Sequence, residues 1–173
     1  MQLLNLSKMQ VKFIQTLYDS ARHLKAAEYL LGVTLKLMDD NRVLAKCLVE
    51  LQKSTTKIIE AAIHLDSKKG ELLPTGKEEM AQVFFEKKGK KLLEKSELEE
   101  LKKILVFAKR HKETHLEFVR KEKLVLFGKD QCKILTEEGL KRSIMVLKQI
   151  IFKLDKKTEG INTPFLLKLF DRL

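Results

Sequence analysis

Tryptophan is absent from this chain, tyrosine occurs twice, and 173 residues hold only two prolines and seven glycines. So few breaking residues favour long helices. Cysteine is equally scarce. Cys47 and Cys132 stand alone, with no second cysteine or histidine at metal-ligand spacing. That argues against a zinc site at either and against a disulfide framework, and a reducing cytoplasm is the expected compartment. No apolar run approaches the roughly 18 residues that span a bilayer. The first 18 residues mix apolar and polar positions at helical spacing, so no signal peptide is expected. A phosphate-cradling glycine loop, a serine nucleophile motif and a paired-carboxylate motif are all missing, and no cofactor is expected.

What the chain does have is apolar content and charge. Hydrophobic residues make up 44% and charged residues 34%, the balance of a folded, well-solvated protein. The length suits one domain with a sizeable core. The net charge of +11 is unevenly spread: residues 1–66 hold 9 Lys and Arg against 7 Asp and Glu, and residues 67–173 hold 26 against 17. A basic surface attracts phosphates, so RNA or another polyanion is the expected partner. A lysine-rich solubilising surface produces the same composition.

The periodicity predicts an all-α antiparallel bundle of five or six helices with a small β-hairpin before the penultimate helix. A first helix is predicted over 3–37, loosened near Gly32, and a second over 41–65 after an Asp39-Asp40 cap. Together they form an N-terminal hairpin over 1–66. Thr75 to Glu78 reads as a capping box opening a short helix that Gly89 ends. Ser96 to Glu99 reads as a second box, opening a helical run to Phe118. Residues 123–127 and 131–135 read as the hairpin, with Gly128-Lys129-Asp130 as its turn. Thr136 caps a helix over 137–154, completing a segment over 77–155. Pro164 opens a short final helix within 162–173 whose Phe165, Leu169 and Phe170 would dock on the core or on a protein partner.

One stretch joins a proton-transfer group to a phosphate-binding group: Arg110, His111 and His115. Metal-free RNA cleavage needs a base for the 2′-hydroxyl and a cation for the phosphorane. Histidine suits the first role and arginine, with its planar fork, the second. On one regular helix, five residues set Arg110 and His115 about 140° apart and about 7.5 Å along the axis, so two copies meeting across a two-fold axis would complete a site better than one.

The Arg-x4-His pattern, with a polar residue directly after the arginine, resembles the signature of HEPN domains. The leading helical hairpin resembles their architecture as well. The resemblance implies a metal-independent endoribonuclease that works as a homodimer, with Arg110, His111 and His115 lining a shared cleft. A β-hairpin after the motif helix departs from that bundle. Around the motif, Lys87, Lys88, Lys90, Lys91, Lys109, Lys112 and Arg120 are the expected phosphate contacts.

Other readings apply to the same residues. His111 and His115 have the spacing of a helical zinc pair, but Lys112 stands where a zincin needs glutamate and no third ligand is evident, so no metal is assigned. Lys109 to Lys112 also complement a helix C-terminus as ordinary solvated charge. His23 and His64 read as edge-of-core histidines, and Tyr18 and Tyr29 as weak stacking candidates. A non-catalytic interaction protein with a basic surface is the competing function.

Overall fold

The computed structural model describes residues 8–38, 40, 42–67, 73–114, 117–120, 123–127 and 132–157. Apolar residues at three- and four-residue spacing drive the first rod. Helix α1 (Lys8–Tyr29) buries Phe13, Leu17, Leu24 and Ala27, and passes through a π-turn (Leu30–Thr34) into α2 (Leu35–Met38). In that turn the Leu35 N–H donates to the carbonyl of Leu30, five residues back. The loosening predicted near Gly32 is this wider turn. The partner rod is α3 (Arg42–Asp66). Asp40 starts it: its carboxylate accepts the Arg42 N–H at 3.0 Å and pairs with the Arg42 guanidinium at 2.8 Å. Cys47 meets Ala27, Glu50 meets His23 and Ser54 meets Ser20. As one number rises the other falls, so the two rods run antiparallel, as the predicted hairpin requires.

Helix α4 (Lys77–Val83) runs through a second π-turn (Phe84–Lys88) into α5 (Gly89–Leu92). Two expectations fail here. Gly76, not Thr75, occupies the N-cap, and no side chain caps it. Gly89 does not end the helix. It sits buried inside the rod, because a Cβ there would lie 2.9 Å from Leu98 Cδ2 and 2.9 Å from the Phe84 carbonyl oxygen. Its role is close approach.

Helix α6 (Lys95–Glu113) begins one residue before Ser96, and its capping box is Glu94 with Glu97. The Glu94 N–H donates to Glu97 Oε2 at 2.7 Å. The helix ends at Glu113, with Thr114 extended, so the run predicted to Phe118 is five residues too long. Phe118 lies instead in β1 (Glu117–Arg120), which pairs with β2 (Lys123–Phe127), which pairs with β3 (Cys132–Thr136). All pairings are antiparallel and the order is β1-β2-β3, so the hairpin gains a third strand. Phe127 pairs with Cys132, leaving four residues between the strands rather than three.

Leu124, Leu126 and Leu135 turn inward. Thr136 ends β3 and caps α7 (Glu137–Lys156), accepting the Gly139 N–H at 3.0 Å. Leu140, Ile144, Leu147, Ile150 and Ile151, apolar at helical spacing, form its buried stripe, and Leu154 extends it. One continuous apolar cluster runs from Phe13 through Leu51, Phe84 and Leu101 to Leu154, tying all five helical rods and the sheet together. Polar clamps close it. Lys148 pairs with Glu28, and the Ser143 hydroxyl donates to Glu100 at 2.5 Å. Lys153 binds Glu97 at 2.9 Å and Glu94 at 3.2 Å, which holds its ammonium above the ordinary range. The proposed final helix, 162–173, lies outside the described residues.

Candidate functional site

The motif falls where α6 runs out. Ala108 still packs in the core, and the next residues leave it. Arg110 and His111 are half-buried, and Lys109 and Lys112 are exposed. His111 Nδ1 is shielded from solvent. The Arg110 carbonyl accepts the Thr114 hydroxyl at 2.7 Å, a closing contact on the last turn. Lys109 reaches Glu113 at 3.9 Å, so its charge is partly answered on its own helix. The helix stops before position 115, so the 140° separation expected between Arg110 and His115 on one helix does not apply. His115 itself lies outside the described residues, as does the side chain of Arg120. The described part of the motif therefore places an arginine beside a histidine at a helix C-terminus, next to the sheet.

The basic cluster on the second π-turn divides sharply. Lys87, Lys90 and Lys91 are exposed, and none forms an ion pair among the described residues. Lys88 is buried. Its ammonium donates to Ser67 Oγ at 3.0 Å and approaches the Asp66 carbonyl at 3.5 Å. It therefore seats a cation at the C-terminus of α3, where the helix dipole favours one. Lys88 is a structural residue in this fold, which corrects its assignment as a phosphate contact.

Three polar features mark the α1–α3 seam, and His23 and His64 lie at the edge of the core as expected. The Nδ1–H of His23 donates to Glu50 Oε2 at 2.7 Å, and Lys53 pairs with the other oxygen at 2.6 Å. Burial raises the Glu50 carboxyl, but the hydrogen bonds from Lys53 and His23 outweigh it and leave Glu50 below the usual range. Ser20 and Ser54 share a buried hydroxyl contact at 3.0 Å. His64 is buried near the end of α3, and burial drives it below its ordinary value, so the neutral ring is favoured. Residues 27 or 34 positions apart make these contacts, and only the register of the hairpin reveals them. Nearby, burial pushes the Cys47 thiol up to about 12, aided by the Glu50 charge, so it is an inert core residue. Cys132 is exposed, and both cysteines are free.

Among the described residues, no group of three His, Cys, Asp or Glu side chains could hold a metal ion. No helix among them is long and apolar enough to cross a membrane. Tyr18 packs against the core, whereas Tyr29 is exposed. No protein family, curated protein or solved structure matches the chain.

Proposed function

We propose that this protein binds RNA on the basic face formed by the second π-turn, α5 and α6, and cleaves it without a metal at Arg110, His111 and His115. The observation that carries the binding reading is the set of exposed cations Lys87, Lys90, Lys91 and Lys112, none ion-paired among the described residues. Such charges gain most from phosphates, because no carboxylate among the described residues competes for them. The cleavage reading rests on the HEPN-like Arg-x4-His pattern. Arg110 clamps the phosphorane, His115 takes the 2′-hydroxyl proton, and His111 flanks them. A homodimer brings the arginine of one copy near the histidine of the other.

The competing reading is a non-catalytic interaction protein in the same compartment, the cytoplasm. It is favoured by Tyr29, Val33, Leu37 and Met38, exposed apolar side chains along the first rod.

One experiment separates the two. Metal-free protein is incubated with mixed RNA over a salt series, beside Arg110→Ala and His115→Ala. The nuclease reading requires products ending in 2′,3′-cyclic phosphate. Each variant should lower cleavage by roughly 10²-fold or more, the scale of a lost acid–base or electrostatic catalyst, with melting unchanged. Salt-sensitive binding without cleavage leaves the interaction reading standing, and binding indifferent to salt removes both the basic face and the nuclease.

A further inference from the structure

A cavity of about 450 Å³ opens between α1, α3 and the segment 73–75 that leads into α4, away from the Arg110 end of α6. Its walls combine three kinds of side chain. Ile63, Leu73 and Met80 supply an apolar side. Four charges line it in balance, two lysines and two carboxylates. Lys57 and Glu60 satisfy one another at 2.7 Å. That leaves Lys12 and Asp19, both on α1. Lys12 is exposed and forms no ion pair among the described residues. Among the described residues Asp19 has one ion pair, a long contact of 3.8 Å to the largely exposed Arg22.

These two opposite charges stand seven residues apart on one face of α1, which is about 10.5 Å along the axis at 1.5 Å per residue. Three residues of extended peptide span roughly 10–11 Å. His64 also lines the cavity. Its Nδ1 is sealed from solvent, so a ligand meets the ring at Nε2, which stands 3.9 Å from Glu60 Oε1, too far for a hydrogen bond. Burial favours the neutral ring, and a neutral Nε2 can bond a peptide N–H or carbonyl.

We infer that the cavity is a binding site for a short zwitterionic peptide of about three residues with an aliphatic side chain. Its ammonium end meets Asp19 and its carboxylate end meets Lys12. The apolar side chain lies on Ile63, Leu73 and Met80, and a backbone amide group bonds His64. Balanced charge also argues against a phosphate here, since Asp19 and Glu60 would repel one. This site is separate from the basic face, so its test does not depend on the RNA reading.

The test is calorimetric titration of the full chain with alanyl-leucyl-alanine, and with the same tripeptide acetylated and amidated at its ends. The free tripeptide should give saturable binding at or below about 1 mM, and blocking both ends should weaken it roughly tenfold or more. Lys12→Gln and Asp19→Asn should each weaken the free tripeptide roughly threefold to tenfold, and leave the blocked one unchanged. Both positions are on the surface of α1, and an unchanged melting curve confirms the fold. Equal affinity for free and blocked tripeptides overturns the inference. So does the absence of saturable heat at about ten times that concentration, or full affinity in both variants.

Discussion

The two π-turns make the same local distortion under opposite conditions. In each, an N–H reaches back five residues: Leu35 to Leu30 in the first rod, Gly89 to Phe84 in the other. Each has a glycine close by. Nothing lies within 4 Å of where a Cβ on Gly32 would sit, and its neighbours Tyr29, Val33 and Leu37 are exposed. Around Gly89, Leu98 and Phe84 close in, and Lys88 beside it is buried. A widened turn is therefore not tied to one purpose here. On the first rod it lies at the surface. On the other it lets a helix backbone touch α6 and turns a lysine inward to the end of α3.

The contrast predicts substitutions of opposite sign. The largest effect falls on Gly89→Ala. The new methyl meets a backbone oxygen and the Leu98 side chain at 2.9 Å, so the two rods must part. Overpacking of that kind costs about 1–3 kcal/mol, read as a lower midpoint in urea unfolding. Next is Lys88→Ala, which removes a cation and its buried stem from the end of α3 and should cost about 1–2 kcal/mol. Lys87→Ala, one residue away and exposed, should leave stability within about 0.5 kcal/mol while reducing the salt dependence of the proposed RNA binding. Equal losses from the two lysines would erase the distinction. The smallest effect has the other sign. Gly32→Ala adds a methyl to open space in a helical backbone and should stabilise by about 0.5–1 kcal/mol. A destabilised Gly32→Ala would mean that the first turn, too, is held by something a methyl disturbs.

These glycines also mark where the sequence was legible and where it was not. Periodicity placed the hairpin, the α7 stripe and the Thr136 cap, because amphipathic spacing and capping chemistry are local. It placed Gly89 as a terminator, because glycine after lysine at a helix end looks like a stop and the approach of Leu98 is a tertiary fact. Lys88 looked like its neighbours for the same reason. The extension of α6 to Phe118 had no breaker to forbid it: residues 114–118 contain neither glycine nor proline. What makes Phe118 a strand residue is its pairing with Val125, a partner no window along the helix contains. Of the candidate site, the exposed lysines and the Arg110-His111 pair were visible from composition and order. The His23–Glu50 pair and the cavity beside His64 depend on hairpin register, which composition does not encode.

Thr136 carries a consequence of its own. It is the last residue of β3, paired with Lys123, and at the same time the residue whose hydroxyl receives the first turn of α7. No spacer separates sheet from helix. Shifting β3 by one position against β2 would move every side chain of the strand to the opposite face. It would also carry the threonine away from Gly139, uncapping α7. Two errors that elsewhere are independent, a slipped strand and a frayed helix, are here a single event. The strand alignment is thus proofread by a helix that packs against α1 and α3.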